Sequence, residues 1–384
     1  MMRGINYMAG HNSYAKVKRV AKEFVNVNQI QEIKELKGGH INSTYLIKMP
    51  EAEYILQQIN NDVFVSPFGM MHNIQQITDH IRRKVIYDGK NPNRCVLNIV
   101  KTVYDQVLCV RENEYWRCMQ YIDNSTAYEH IESPEMFQEM GRVVGEFQEL
   151  LEGFHTRILD ETIPHFHDTP YRYKHFLNVV KVDSCDRVKN VKDEIDFIKS
   201  NRSIYPTIVK WIDDQVIPRR VTHNDTKPSN VLIDDTTGKA LCLIDLDTVM
   251  RGSLLYDYGD ALRIGCSTAP EDERDLSKVN IDLKMFESFT RGFLKAIKKT
   301  ITPEEVRGLY LGFKIITCEI AMRFLDDYLD GDHYFKVSYP EHNLVRARCQ
   351  IQMVKELDKK EAEIHAIINR LLRELEYDAS YIYQ

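Results

Sequence analysis

Paired cysteines at metal-ligand or disulfide spacing are absent from this sequence. The eight cysteines occur singly, at positions 95, 109, 118, 185, 242, 266, 318 and 349, and no Cys-x-x-Cys motif is present. Scattered single thiols are typical of proteins in a reducing compartment, and they argue against both a cysteine-rich zinc site and a disulfide framework. We therefore expect a cytoplasmic protein.

Long apolar runs and an excess of positive charge are also absent. The most apolar long stretch, VRGLYLGFKIITCEIAMRFL, is interrupted by charged residues and is expected to form a buried helix, not a membrane span. The N-terminal stretch contains no apolar segment of about 7 to 15 residues, so no secretory signal peptide is predicted. The net charge of -6 provides no attraction to phosphodiester backbones or anionic lipid. We expect neither nucleic acid nor a membrane as a partner.

Short runs rich in β-branched and aromatic residues fill residues 1–121. They are STYLIKM, EYILQQI, CVLNIVKTVY, QVLCVREN and YWRCMQYI, each bounded by turn-forming residues. One helix interrupts them, SPFGMMHNIQQITDHIRRKV, in which Met70, Ile74, Ile77 and Ile81 share a face. The order predicts an antiparallel sheet with one packed helix.

The pattern turns mainly helical after residue 121. The 384-residue chain is long enough for two or three domains of about 100 to 200 residues. The sequence predicts an α+β protein with a β-rich N-terminal lobe, 1–121, and a larger helical C-terminal lobe, 122–384. Further helices are predicted near 171–182, 187–200, 204–217, 280–298, 303–330 and 342–376.

One β-hairpin stands among the C-terminal helices. Its strands NVLID and ALCLID flank the turn DTTGK, where Gly238 can adopt positive φ. Antiparallel pairing about this turn places Asn230 opposite Asp245, and opposed Cβ atoms lie about 4.5 to 5.5 Å apart. Amide and carboxylate oxygens are hard ligands suited to Mg²⁺, which often shares phosphate oxygens. We therefore expect a magnesium and nucleotide site at the open end of this hairpin.

The loop that feeds the hairpin, HNDTKPSN, matches the phosphoryl-transfer template HRDxxxxN. Asp225 takes the place of the aspartate that accepts the hydroxyl proton, and Asn230 that of the metal-binding asparagine. A single Asn or Asp beside proline is usually a turn residue, whereas several positions at template spacing favour catalysis. His223 is expected to hold the loop by hydrogen bonds to backbone carbonyls.

Charged residues after Asp245 have supporting roles in this interpretation. Asp247 serves a second Mg²⁺ or hydrogen-bonds the loop, and the sequence leaves both roles open. Asp257, Asp260 and Arg263, in YDYGDALR, are expected to brace the metal-binding loop.

At this point the sequence resembles the protein-kinase-like small-molecule kinases, the superfamily of aminoglycoside phosphotransferases and choline kinases. DTKPSN also has the protein-kinase form DxKPxN. Within the superfamily the sequence is most similar to the N-acetylhexosamine 1-kinases. The blocks that carry this similarity are GGHINSTYLI, YILQQINNDVF, HNDTKPSNVLID, LIDLDTVMRG, YDYGDALR and MRFLDDYLDGDHYF.

The resemblance implies ATP-dependent phosphorylation of the anomeric hydroxyl of N-acetylglucosamine or N-acetylgalactosamine. Asp225 would accept or orient the hydroxyl proton, Lys227 would lie near the transferred phosphoryl group, and Asn230 and Asp245 would hold Mg²⁺. Further implied residues belong to the nucleotide and sugar sites. The nucleotide residues are Gly39, Asn42, Ser43, Thr44, Gln58, Gln120 and Ile122, and the sugar residues are Arg323 and Tyr334.

The usual kinase pair of a strand lysine and a helix glutamate is missing. Gln57 or Gln58 occupies the lysine position in YILQQIN, and the helix MMHNIQQITDHIRRK contains no glutamate. Loss of both partners together avoids an unpaired buried charge. We therefore expect a different grip on the phosphates.

Other functions remain open at this stage. Four aspartates, Asp326, Asp327, Asp330 and Asp332, would also attract a cationic substrate, as in an aminoglycoside or amino-alcohol kinase. A catalytically inactive kinase fold that serves as a binding module is a second alternative. A protein kinase is disfavoured, because GxGxxG, VAIK, DFG and APE motifs are all absent.

Overall fold

The computed structural model describes residues 6–36, 42–61 and 63–383, with side chains from residue 14 onward. The chain forms two compact units. The first comprises Met1–Ser125, Leu159–Ile163 and Leu246–Val249, and the second comprises the remaining residues. The first is built on an antiparallel sheet and the second is mainly helical. The predicted α+β class is therefore confirmed.

The first unit contains a sheet of six strands within the described residues. The strands run in the order β1-β2-β3-β6-β4, β5 also pairs with β6, and every pairing is antiparallel. The bounds are β1 Glu32–Leu36, β2 Ser43–Lys48, β3 Glu53–Ile59, β4 Ile99–Val100, β5 Cys109–Arg111 and β6 Glu114–Gln120, with helices α1 Asn6–Ala21, α2 Pro67–Tyr87 and α3 Pro92–Cys95. The predicted strands β2, β3 and β6 are confirmed, whereas the sequence analysis missed α1 and β1.

Helix α2 forms for the reasons visible in the sequence. Ser66 caps it by accepting a hydrogen bond from the backbone of Gly69, and Pro67 occupies the first turn. The residues of the predicted apolar face, Met70, Ile74, Ile77 and Ile81, are all buried. The helix therefore packs through the stripe that its 3.6-residue period predicts.

The second unit is a helical assembly with one sheet of three short strands and one of two. Its helices are α4 Pro134–Leu150, α5 Thr169–Val182, α6 Lys192–Ser200, α7 Thr207–Asp213, α8 Leu254–Gly265, α9 Leu283–Ile297, α10 Pro303–Arg307, α11 Leu309–Asp330 and α12 His342–Glu374. The predicted helices are confirmed, but α8 was not predicted and the stretch 303–330 is divided at Gly308. Among the described residues, no helix combines the length and apolarity required to cross a membrane.

Glycine allows α4 and α9 to pack with their backbones in close approach. A Cβ on Gly141 would lie 2.2 Å from the carbonyl oxygen of Phe289, and a Cβ on Gly292 would lie 2.0 Å from that of Gln138. Real Cβ atoms do not approach a carbonyl oxygen so closely. Only glycine therefore fits at these two positions of the interface.

The strands of the second unit position the catalytic loop. They are β7 Ser125–Ala127, β8 Arg220–Thr222, β9 Val231–Asp234, β10 Ala240–Leu243 and β11 Met250–Gly252. Strand β9 lies between β10 and β7, and β8 pairs with β11.

The register predicted for the hairpin is wrong by one residue at its open end. Leu243 pairs with Val231, and the pairing shifts between Ala240 and Cys242 because a bulge is inserted there. The backbone N–H of Ile244 then donates to the carbonyl oxygen of Asn230 at 2.9 Å. Asn230 is therefore opposite Ile244, and Asp245 follows one residue later.

Candidate active site

The predicted catalytic loop, residues 223–230, joins β8 to β9 and is hydrogen-bonded to helix α8. The buried carboxylate of Asp257 accepts backbone N–H groups from His223 at 3.0 Å and Asn224 at 2.8 Å, and a side-chain bond from Gln148 at 2.8 Å. Burial raises the pKa of Asp257, and these donors counteract that effect in part. One carboxylate thus satisfies two loop N–H groups.

A second carboxylate of α8 holds the middle of the loop. Asp260 accepts the backbone N–H of Thr226 at 3.0 Å and pairs with Arg263 at 3.2 Å. The Thr226 hydroxyl donates to the carbonyl oxygen of Asp257 at 2.6 Å. The predicted bracing role of these α8 residues is confirmed.

His223 is a structural residue of the loop, as the sequence predicted. Its side chain is fully buried, and Nε2 donates to the carbonyl oxygen of Ile244 at 2.9 Å. Nδ1 then accepts the backbone N–H of Asp225 at 3.3 Å. The imidazole therefore links the loop to the end of β10.

Asp225 is held between two loop side chains. Lys227 Nζ donates to Asp225 Oδ2 at 2.8 Å, and Asn230 Nδ2 donates to the same oxygen at 2.9 Å. The Asp225 side chain is 29% exposed. Among the described residues, neither Lys227 nor Asn230 donates a hydrogen bond to its other carboxylate oxygen, Oδ1. Burial lowers the pKa of Lys227, but the nearby carboxylates of Asp225, Asp245 and Asp260 raise it by more than burial lowers it. The pKa of Lys227 therefore lies above its ordinary value. Lys227 is therefore a firmly charged partner for Asp225.

Asp245 lies at the strained end of the hairpin. Its backbone has a φ of 60°, in the left-handed region that non-glycine residues seldom occupy, and the residue is exposed. Asp245 lies near enough to Lys227 to influence its pKa. The side-chain oxygens of Asn230 and Asp245 are ligands of the type that Mg²⁺ prefers. Within the described residues no cluster of three or more His, Cys, Asp or Glu is arranged to hold a metal, so any Mg²⁺ here would need phosphate and water oxygens as well.

Asp247, the third predicted metal ligand, belongs to the first unit and has other partners. Its carboxylate is 2% exposed, forms an ion pair with Arg117 of β6, and accepts a bond from Asn42 Nδ2 at 2.7 Å. Asn42 Oδ1 in turn accepts the backbone N–H of Asn60 at 3.0 Å. This placement supports the hydrogen-bonding role that the sequence left open.

A row of polar side chains crosses three strands beside this ion pair. Arg117 Nε donates to Gln57 Oε1 at 2.9 Å, and Gln57 Nε2 donates to Thr44 Oγ1 at 3.0 Å. Gln57 is opposite Arg117 on β6 and opposite Thr44 on β2. Gln57, one of the two glutamines predicted at the lysine position, therefore lies beside a cation on the neighbouring strand. The sequence analysis missed Arg117, although an arginine within the apolar run of β6 was a usable signal.

The predicted nucleotide-binding residues do not all share one face of the sheet. Ser43, Gln58 and Trp116 are opposed to one another and lie on the face away from Arg117. Gln58 and Trp116 line a cavity of about 560 Å³ there.

The remaining predicted nucleotide-binding residues lie near the end of β6 or outside the described residues. Gln120 Oε1 accepts a bond from Asn98 at 2.8 Å. Ile122 is buried, and its carbonyl oxygen accepts the Ser125 hydroxyl at 2.6 Å. Gly39 lies outside the described residues.

The two predicted sugar-binding residues are brought into contact. Arg323 of α11 is 8% exposed, and its Nη2 donates to the Tyr334 hydroxyl at 3.2 Å. The centre of its guanidinium lies 5.1, 5.4 and 5.6 Å from the rings of Phe166, Tyr334 and Phe335. Each distance is within the range of a cation–π contact. Arg323 therefore occupies an aromatic cage.

A buried carboxylate, which the sequence analysis did not identify, lies one helical turn before Arg323. Glu319 is fully buried and accepts bonds from His167 Nδ1 at 2.9 Å and Thr169 Oγ1 at 3.0 Å. Burial alone would raise its pKa, but His167, Arg323 and Arg172 outweigh that effect, so the pKa of Glu319 is lowered. The polar segment HDT before α5 was the available sequence signal.

The four aspartates near the end of α11 are mostly engaged in structural contacts. Asp327 accepts the backbone N–H groups of His333, Tyr334 and Phe335 at 2.9, 2.8 and 2.9 Å. Asp332 pairs with Arg187 at 2.6 Å. Further contacts join Asp326 to His175 at 3.1 Å, and Asn343 to both Asp327 and Asp332 at 2.8 and 2.9 Å.

Comparisons with known proteins agree with this geometry. Residues 32–278 match the phosphotransferase enzyme family. Similar solved structures include the microcompartment-associated aminopropanol kinase, 14% identical with a TM-score of 0.61, covering 91% of this chain and 98% of that one. An aminoglycoside phosphotransferase from Alicyclobacillus acidocaldarius is 13% identical with a TM-score of 0.57, covering 94% and 96%.

A third structure is that of spectinomycin phosphotransferase in complex with ADP and spectinomycin. It is 11% identical with a TM-score of 0.52, and the alignment covers 86% of this chain and 94% of that one. At these identities the structures support a shared fold, while the family match extends over more than half of the sequence. The chain belongs to the phosphotransferase enzyme family.

Proposed function

We propose that this protein is an ATP- and Mg²⁺-dependent kinase that phosphorylates the anomeric hydroxyl of an N-acetylhexosamine. The observation that carries the proposal is the placement of Asp225, whose carboxylate is held by Lys227 and Asn230 while Oδ1 remains available. This is the arrangement expected of the group that orients an acceptor hydroxyl in phosphoryl transfer. The use of ATP is supported by the ADP bound in the related spectinomycin phosphotransferase.

The chain contributes positioning and charge to this reaction. Asp225 Oδ1 would accept the proton of the acceptor hydroxyl, and Lys227 would stabilise the negative charge of the transferred phosphoryl group. Asn230 and Asp245 would hold Mg²⁺, which supplies neutralisation of the phosphate charge when it is bound with ATP. The bonds from α8 keep the loop rigid, so that little reorganisation is required during the reaction.

The environment of Arg323 favours a neutral sugar as acceptor. Asp327 and Asp332 are already saturated by backbone and side-chain donors, so they offer little to a cationic substrate. Arg323 and Arg172 are close enough that Arg323 lowers the pKa of Arg172, second to the effect of burial. Two guanidinium groups so near each other repel a further cation and suit the carbonyl and hydroxyl oxygens of an N-acetylated sugar.

An amino-alcohol or aminoglycoside kinase is the second candidate. Glu319 is a buried, ionised carboxylate beside Arg323, and such a group would pair with a substrate ammonium. The two candidates differ in the charge of the acceptor, so a substrate panel separates them.

The test is incubation with ATP and Mg²⁺ in the presence of N-acetylglucosamine, N-acetylgalactosamine, ethanolamine, choline or kanamycin, with mass-spectrometric detection of the phosphorylated product. We expect a sugar 1-phosphate, identified by phosphorus–carbon coupling in the NMR spectrum. Asp225→Asn should lower turnover by about 10²- to 10⁴-fold. The matched control is Asp235→Asn in the exposed hairpin turn, which should keep wild-type turnover.

Each result has a defined meaning. Phosphorylation of the amines alone would replace the sugar assignment by the second candidate. Wild-type turnover in Asp225→Asn would contradict the proposed catalytic role. The absence of any product would favour a catalytically inactive binding module.

A further inference from the structure

The segment before helix α5 holds a histidine in a fixed orientation. The His167 side chain is 7% exposed, and Nδ1 lies 2.9 Å from Glu319 Oε1. Thr169 occupies the other carboxylate oxygen of Glu319 at 3.0 Å. An ionised carboxylate only accepts hydrogen bonds. Nδ1 of His167 therefore carries a proton and donates a hydrogen bond to Glu319.

The other ring nitrogen of His167 lacks a hydrogen-bonding partner among the described residues. The ring lies between two aromatic neighbours, with centroids 4.6 Å from Phe166 and 4.8 Å from Tyr256, so rotation toward a new partner would break the Glu319 bond and disturb both contacts. Buried polar atoms in native proteins almost always have a partner. Nε2 of His167 thus requires a partner that the described residues do not provide.

His167 is located beside the residues of the proposed acceptor site, all within the second unit. Its partner Glu319 lies one helical turn from Arg323, with 3.9 Å between Oε1 and Nη1. Phe166 contacts the Arg323 guanidinium at 5.1 Å. On the other side, Tyr256 belongs to the same helix, α8, that braces the catalytic loop. His167 is therefore adjacent both to the predicted sugar contacts and to the support of Asp225.

We propose that Nε2 of His167 binds the acceptor substrate by accepting a hydrogen bond from one of its hydroxyl groups. This inference rests on the proposed function. In the tautomer whose single proton is on Nδ1, Nε2 presents a lone pair and selects an O–H or N–H donor. A quaternary ammonium group has no such hydrogen. The Glu319–His167 pair thus adds a contact for acceptors that carry an O–H or N–H donor besides the hydroxyl that is phosphorylated, separate from Asp225.

Two substitutions distinguish the roles of the two ring nitrogens of His167. His167→Asn retains a donor near the position of Nδ1 and removes Nε2, whereas His167→Gln places an amide near Nε2 and withdraws from Glu319. His165→Asn is the matched control, because His165 lies in the same segment and its side chain is 45% exposed. Thermal unfolding of each variant verifies that it is folded.

The measurement is KM for N-acetylglucosamine, for its monodeoxy analogues and for ATP. We expect His167→Asn to raise the KM for the sugar by about 10- to 100-fold, the loss expected when a buried hydrogen bond is removed from one partner. The KM for ATP should remain unchanged, as should both constants in His165→Asn. One monodeoxy sugar should show the same rise with the wild-type protein and no further rise with His167→Asn.

Contrary outcomes are equally specific. An unchanged sugar KM in His167→Asn, with or without lower thermal stability, assigns Nε2 to a structural water and overturns the inference. If ethanolamine is phosphorylated and the sugar is not, the sugar assignment fails, and the KM for ethanolamine in the same variant decides the role of His167 independently. A wild-type protein that phosphorylates neither compound overturns both proposals.

Discussion

The buried ion pair between Arg117 and Asp247 makes a strong prediction about stability. Both side chains are only 2% exposed. Replacing Arg117 by methionine keeps much of the side-chain volume but leaves the Asp247 carboxylate in the interior with Asn42 as its remaining donor. Removal of one partner of a buried pair typically costs about 3 to 5 kcal/mol, because the other charge is left uncompensated. We expect Arg117→Met to lower the free energy of unfolding of the first unit by about that amount.

A double-mutant cycle separates the pair from the other contacts of Arg117. Asp247→Asn should also be destabilising, since it leaves the buried guanidinium of Arg117 without its negatively charged partner. The double variant should lose less than the sum of the single losses, by about 1 to 3 kcal/mol. Arg19→Met is the surface control, because Arg19 and Glu112 form a pair that is 46% and 70% exposed. Such a pair contributes about 0.2 to 1 kcal/mol.

Tryptophan fluorescence during urea unfolding provides an assay for the first unit. The chain has two tryptophans: Trp116 is buried beside Arg117, and Trp211 lies in α7 of the second unit. In a Trp211→Phe background the signal reports on the first unit. A loss below about 1 kcal/mol in Arg117→Met, equal to that of the Arg19 control, would refute the argument that burial makes this pair indispensable.

Three further predictions concern the second unit. Asp257→Asn should reduce turnover and cost about 1 to 3 kcal/mol of stability, since an amide presents only one acceptor oxygen to the two loop N–H groups; kinetics and urea unfolding measure both effects. Burial, partly opposed by His175, raises the pKa of Asp326 to about 6, above the unfolded value of about 3.9. The folded state therefore binds more protons between about pH 4 and 6, so wild-type stability should rise as pH falls through that range, and Asp326→Asn should lack this rise in urea unfolding at pH 4.5, 6 and 7.5. Gly292→Ala should lower Tm and destabilise by at least about 1 to 3 kcal/mol, because its Cβ would overlap the carbonyl oxygen of Gln138.

Much of the fold was accessible from sequence periodicity. Helix α2 buries one face, so its side-chain pattern shows the 3.6-residue period directly. Strands β2 and β6 have buried residues on both faces, and they were recognised from their β-branched and aromatic residues. Helix α8 was missed because almost every residue in it is buried, including Asp257, Asp260 and Arg263. A helix enclosed on all sides has no polar face, and its charged residues obscure the apolar ones.

The hairpin shows where local patterns become insufficient. The turn and the two strands follow from the residues around Gly238, but the bulge between Ala240 and Cys242 has no distinctive side-chain signature. The observed pairing of Ile233 with Ala240 beside the turn is already two residues away from the predicted register, and the bulge reduces the offset to one, so Asn230 lies opposite Ile244 and not opposite Asp245. The loop between β8 and β9 and the hairpin after it were therefore predictable, whereas the alignment of Asn230 with the next strand was not.

Contacts distant in sequence explain what else was missed in the first unit. The sequence contains no lysine at the expected strand position, and it gave no indication that Arg117 on the adjacent strand is buried there in an ion pair with Asp247. No spacing rule connects residues from separate segments of the chain. Only the sheet register, which opposes Gln57 to Arg117, reveals that a cation takes the neighbouring place.

The aspartates that follow Arg323 illustrate that an unfavourable charge at a helix end can have a structural cause. Negative charge at a helix C-terminus is unfavourable, and the sequence interpretation attributed that cost to function. In the structure the carboxylate of Asp327 accepts hydrogen bonds from the backbone N–H groups of residues 333–335. Those bonds fix the loop that carries Tyr334 and Phe335 against the Arg323 guanidinium. Asp327 therefore shapes the aromatic cage around Arg323, and the unfavourable charge at this helix end has a structural explanation.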